Sequence, residues 1–112
     1  MADVSQPAAP QPYAGVRVLD FTQGVAGPMA AMHLGDLGAE VLKIEPPEGD
    51  HHRDAPGYLA FNRNKSVLSL DLQRADGLAQ AKALLVGADV ALFDHAPGGL
   101  EALGLAAEDL AA

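Results

Sequence analysis

The chain has 112 residues, 49% of them hydrophobic but only 4% aromatic, with no cysteine and a net charge of −8. This length suits one domain or a piece of one, with an aliphatic and thinly anchored core. The acidic balance argues against binding to nucleic acid or a bilayer surface, the lack of cysteine excludes disulfides and a thiol nucleophile, and no apolar run approaches the roughly 20 residues of a membrane span.

Residues 1–12 (MADVSQPAAPQP) hold three prolines and read as a loose, disordered tail. They lack the basic-then-apolar order of a secretory signal, which leaves the cytoplasm as the expected compartment. Val16 to Phe21 reads as a buried strand carrying Asp20 near its carboxyl end. Thr22-Gln23-Gly24 breaks the run. Pro28 suits the first turn of a helix, and from Met29 apolar residues recur at helical spacing through Met32, Leu34 and Leu37 to a stop at Gly38. Glu40 opens a second strand, Val41 to Ile44, closed by Pro46-Pro47. Two near-continuous apolar strands around one helix predict a βαβ unit in a parallel sheet covered on both faces. Ligands of such units sit beyond the carboxyl ends of the strands, which points to the Thr22–Pro28 loop. Neither a G-x-G-x-x-G nor a G-x-x-x-x-G-K-[ST] pattern occurs, so the ligand stays open at this point.

Beyond Pro47 comes a polar loop, Glu48 to Gly57, then a helical turn at Tyr58 to Asn62. A third strand is predicted at Val67 to Leu72 and a helix from Arg74 to Gly87, with Leu78, Ala81, Leu84 and Leu85 on one face. Asp89 to Phe93 reads as a fourth strand, and Pro97-Gly98-Gly99 turns into one last helix holding Leu100, Leu103, Leu105 and Leu110. The fold class is therefore α/β, a Rossmann-like parallel sheet of about four strands with flanking helices. Doubly wound sheets usually have more strands, so the chain reads as a truncated large domain.

Bland readings compete with functional ones along this path. His51-His52 with Asp50 and Asp54 resembles half a metal site, but closed sites want three or four converging ligands, so no metal is expected. His95, after Asp94 at a strand end, reads as a loop histidine before a general base. Asp20 and Asp71 read as loop caps that accept backbone N–H bonds. Lys43 and Glu45 read as rim residues of the second strand, and Met29 and Met32 as core fillers.

The segments LDFTQGVAGP, LGDLGAEVLKIEPPEGDHHR, YLAFNRNKSVLSLDL and GADVALFDHAPGGLEALGL, in this order and spacing, resemble the N-terminal part of family III CoA-transferases. This family, also called CaiB/BaiF, includes formyl-CoA transferase, carnitine CoA-transferase and α-methylacyl-CoA racemase. The likeness covers residues 13–112. It implies a Rossmann-like domain whose chains interlock as a dimer, CoA and its thioesters as substrates, and CoA transfer through an acyl–aspartyl anhydride and an enzyme thioester. It also implies that the catalytic aspartate lies outside the segment matched here, because none of this chain's acids aligns with it.

The family's loop over the pantetheine and thioester end falls on Gln23, Gly24, Val25 and Ala26, with Val25 where transferases often have glutamine. Lys65 matches a lysine placed near the CoA nucleotide, followed by Ser66 where arginine is frequent. The family's Glu-Asn-Phe-Arg-Pro-Gly run, whose asparagine and aromatic cradle the adenine end, is Phe93-Asp94-His95-Ala96-Pro97-Gly98 here. A phosphate-binding arginine position in the next helix is Ala102. All seven Lys and Arg lie at or before Lys82, followed only by Asp89, Asp94, Glu101, Glu108 and Asp109. Each lost charge-assisted contact to a phosphate is worth roughly 1.5–3 kcal/mol. The expectation is a degenerate CoA site in a chain inactive by itself, or else a non-catalytic structural half of a tandem-domain relative.

Overall fold

Strands that are apolar at consecutive positions need cover on both sides, and the order of elements provides it. A computed structural model describes residues 11–111; ten of the residues read as a loose tail, 1–10, lie outside that range. The chain runs β1 (Arg17–Asp20), α1 (Ala26–Asp36), β2 (Glu40–Glu45), α2 (Tyr58–Phe61), β3 (Lys65–Ser69), α3 (Ala75–Val86), β4 (Val90–Leu92), α4 (Gly99–Ala102) and α5 (Ala107–Ala111). All strand pairs are parallel, in the order β3-β2-β1-β4. Adjacent residues of β1 separate into two cores. Val18 joins Val41, Val90 and Leu92 against Ala31 and Leu34 of α1. Leu19 and Phe21 join Leu42, Ile44 and Leu68 against Ala81, Leu84 and Leu85 of α3. The sheet is doubly wound, as expected.

The boundaries obey local chemistry. Gly38, at φ 110°, ends α1 in the left-handed conformation, and the Ala39 N–H returns to the Leu34 carbonyl. Helix α1 starts at Ala26, three residues before Met29, because the first turn packs directly on the end of β1: a Cβ on Gly27 would lie 2.3 Å from Thr22. Three further expectations are corrected. The third strand begins at Lys65 rather than Val67 and ends at Ser69; Lys65 pairs with Val41 because its charged end has a buried partner. The last helix is two short ones, broken at Gly104, whose φ of 72° lets the Leu105 N–H reach back to the Leu100 carbonyl. Finally, Lys43 and Glu45 are buried rather than on the rim, since both share the α1 face of β2 with Val41.

The strand order places the site. From β1 the chain moves outward through β2 to β3, then crosses back so that β4 pairs with the other side of β1. The switch point therefore lies between β1 and β4, and the segments that leave their carboxyl ends, from Phe21 and from Phe93, face one crevice.

Candidate functional site

Two layers meet at the carboxyl edge of the sheet. On the α1 face lies a buried ionic layer. The Asp20 carboxylate accepts the Thr22 N–H at 2.9 Å and the Thr22 hydroxyl through Oδ1, while Oδ2 accepts from Lys65 at 2.8 Å. Lys65 Nζ also donates to the Pro28 carbonyl at 3.0 Å and to Asn62 Oδ1 at 2.8 Å, which uses all three of its N–H groups. Lys43 Nζ donates to the Thr22 carbonyl at 2.9 Å and stands 2.8 Å from Asp50 Oδ2. The Lys43–Asp50 contact is off the hydrogen-bond angle, so it is an ion pair held by charge, which depends on distance far more than on direction. Glu45 takes Arg53 and the Tyr58 hydroxyl. Three carboxylates (Asp20, Glu45, Asp50) thus face three cations (Lys43, Arg53, Lys65), as burial of charge requires.

Environment shifts these groups in readable directions. Burial pulls the Lys65 ammonium below its usual range, and Asp20 opposes this only in part. Burial pushes the Asp50 carboxyl up, but Lys43 and the His52 N–H outweigh that and leave it below the ordinary value. Burial, and then the hydrogen bond to Glu45, raise Tyr58 to about 12.

On the α3 face a cleft of about 760 Å³ opens, lined among others by Phe21, Gln23, Glu48, Asp71, Asp94 and His95. Phe21 stacks on Phe93 at 4.6 Å between ring centroids, and His95 meets Phe93 edge-on at 5.9 Å. The loop from β1 borders this cleft. The Gln23 N–H donates to Asp94 Oδ2 at 2.9 Å, and its side-chain oxygen accepts the His51 N–H at 2.8 Å. Gly24, at φ 88°, fits under the His52 ring, which a Cβ would approach to 3.4 Å. Val25 precedes the first turn of α1 with an αR backbone and is exposed, as is Ala26.

Of the candidate residues, Gln23, Asp94 and His95 meet at the β1–β4 switch point, while Gly24, Val25 and Ala26 lead from Gln23 into the start of α1 without lining the cleft. Lys65 does not join them: its side chain points to the other face of the sheet and is fully buried against Asp20. Ala102 lines the cleft, whose lining includes the acidic residues Glu48, Asp71 and Asp94 and no Lys or Arg among the described residues; Glu45 borders it too, but its carboxylate is buried against Arg53 and Tyr58. Asp50 is spent on Lys43, and among the described residues no three His, Asp or Glu side chains are grouped to hold a metal. Sequence reasoning does not place Lys43, Glu45 or Tyr58 in the site and weighs Asp50 only as a metal ligand. The alternation Val41-Lys43-Glu45, matching Val18-Asp20 on the neighbouring strand, was the available signal.

A doubly wound parallel sheet with a crevice at its switch point defines an α/β domain of the kind whose ligands sit at the carboxyl ends of the strands. The chain belongs to CoA-transferase family III, whose model matches residues 13–112. It is 40% identical over 110 residues to succinyl-CoA:glutarate CoA-transferase of Homo sapiens, covering 89% of this chain and 25% of that protein. It is 44% identical over 117 residues to the probable fatty acyl-CoA transferase Rv3272 of Mycobacterium tuberculosis, covering 95% and 29%. The crystal structure of Rv3272 superposes with a TM-score of 0.87 at 46% identity, over 94% of this chain and 29% of that one. The chain therefore spans roughly a quarter to three-tenths of the length of these relatives. Among its described residues no helix is long and apolar enough to cross a membrane.

Proposed function

We propose that this chain is the CoA-facing part of a family III CoA-transferase and does not transfer CoA by itself. The observation that carries this reading is the loop Gln23–Ala26, held at the switch point between Asp94 and His51, where family resemblance puts the pantetheine and thioester end of CoA. The substrate class is a CoA thioester with a carboxylic acid, or an acyl-CoA in racemisation; the human relative's name specifies succinyl-CoA and glutarate for that protein alone. Of the acids at the carboxyl edge, Asp20 is engaged by Thr22 and Lys65 and Glu45 by Arg53 and Tyr58, while Asp71 and Asp94 each accept one backbone N–H. Family resemblance aligns none of this chain's acids with the nucleophilic aspartate, which is expected in another segment.

The acidic lining of the cleft supports a weakened nucleotide grip. CoA brings several phosphate charges to a wall that offers carboxylates and one imidazole, at Asp94 and His95. Calorimetric titration of the chain with CoA at low salt is expected to show no binding in the micromolar range or tighter; binding that tight would overturn the degenerate-site reading. The same lining favours a second reading, a non-catalytic half that supports a partner domain. Either way we place the functional state in an assembly, with a second copy or with the remainder of a transferase against the free edge of β4.

A further inference from the structure

We propose that Lys43 and Lys65 are positioning residues for the ligand loop, two buried ammonium groups that set its shape from beneath and touch no substrate. The proposal rests on the reading of Gln23–Ala26 as the CoA loop. Two carbonyls bracket that loop, Thr22 at its start and Pro28 in the first turn of α1. Each accepts from a different buried lysine: Lys43 on β2 at 2.9 Å and Lys65 on β3 at 3.0 Å. Both lysine side chains are 0% exposed. Asp20 ties the two ends together, because the carboxylate that neutralises Lys65 also accepts the Thr22 N–H. Lys43 extends the same grip to the neighbouring loop through Asp50, whose other oxygen accepts the His52 N–H at 2.7 Å; the His52 ring then lies on Gly24.

Stability alone does not account for this arrangement. A buried ion pair is commonly no better for stability than apolar residues of the same size. What Leu or Met could not supply here is a donor long enough to reach, from a strand, the carbonyl of a residue outside it. Lysine has that reach, and its charge needs the paired acids, which explains why Asp20 and Asp50 are buried with it. The network is thus a frame that fixes where the loop's backbone stands before any ligand arrives.

Amide hydrogen exchange of the whole chain tests this without ligand. In Lys43→Met, which keeps an apolar stem, the Thr22 and Gln23 amides should exchange at least about tenfold faster relative to the Glu40 and Asp89 sheet amides. Lys65→Met should act on the same loop. Leu84→Ala, a packing change on the far face, serves as the reference and should speed all amides alike. If Lys43→Met gives the uniform pattern of Leu84→Ala, the lysine is only a stabilising residue and the proposal is wrong. Should Lys43→Met not fold, Asp50→Asn removes the charge partner at constant volume and must produce the same loop-selective pattern. Because no CoA is used, a uniform result leaves the CoA reading standing, and a failed CoA titration leaves this inference standing.

Discussion

At the scale of single residues, the molecule concentrates its risk in a few buried charges. Replacing Asp50 by Ala leaves Lys43 buried without its counter-ion, and an uncompensated buried charge costs about 3–5 kcal/mol; urea unfolding of Asp50→Ala should show a loss of this size. The pH dependence follows from the direction of the Asp50 shift. Its folded value lies below its unfolded one, so its contribution is present above about pH 4 and is lost as pH falls through the folded value. The wild type should lose stability in that acid window more steeply than Asp50→Asn. Tyr58 gives the opposite sign. Held up to about 12 by burial and Glu45, its proton contributes stability fully below pH 10, which is lost as pH rises towards 12. The phenolate absorbance that disappears in Tyr58→Phe should therefore titrate near 12; a midpoint near 10 would mean that neither the burial of the phenol nor its Glu45 contact holds in solution. Removing the hydroxyl should cost about 1–2 kcal/mol at neutral pH, since Glu45 keeps Arg53.

At the scale of elements, close packing outranks intrinsic preference. Gly77 is buried in the first turn of α3, and a Cβ there would lie 2.1 Å from the Asp71 carbonyl oxygen, a backbone atom with little freedom to retreat. Helix propensity alone would favour Gly77→Ala by about 1 kcal/mol. The overlap must win, and we expect Gly77→Ala to lower the melting temperature, whereas Gly87→Ala, whose added Cβ would have its closest contact at 3.4 Å, should change it little. The same competition explains which elements could be read from the sequence. All four strands follow in chain order from apolar runs, and Gly38 was legible as the stop of α1. The start of β3 was not, because Lys65 looks like a loop residue until Asp20, 45 positions earlier, is known to receive it. The single last helix failed for a related reason: Leu100, Leu103 and Leu110 keep helical spacing across a glycine whose positive φ breaks the helix. The loop and Asp94 were legible as a site through family resemblance, yet not the hydrogen bond that joins them. The Lys43–Asp50 pair is not legible because alternation sets Lys43 opposite Ile44 without showing that this face is covered, and Asp50 reaches it from a loop that no local pattern places.

At the scale of the whole molecule, the open question is what covers β4. Among the described residues this three-residue strand ends the sheet with one side unpaired, and a groove of about 690 Å³ beside it is lined by apolar residues such as Leu85, Val86, Leu100 and Leu110, together with Lys82, Asp89 and Asp109. In the family relatives, which are three to four times longer, other polypeptide is at hand to fill such a groove. In a solution of the purified chain a second copy is an available occupant. An unpaired edge next to apolar side chains is a template for association, while the net charge of −8 opposes it at long range and is screened by salt. The balance should tip towards association as ionic strength rises. Sedimentation is therefore expected to show a concentration-dependent dimer that strengthens from low to moderate salt. Val86, 90% exposed at the mouth of the groove, offers a clean probe. Val86→Lys leaves the core untouched and lowers the net negative charge, which by itself would favour association; if the groove is the contact, burying the new ammonium must outweigh that gain and weaken the dimer. A stronger dimer in Val86→Lys would show that charge governs association and that the groove is not its seat.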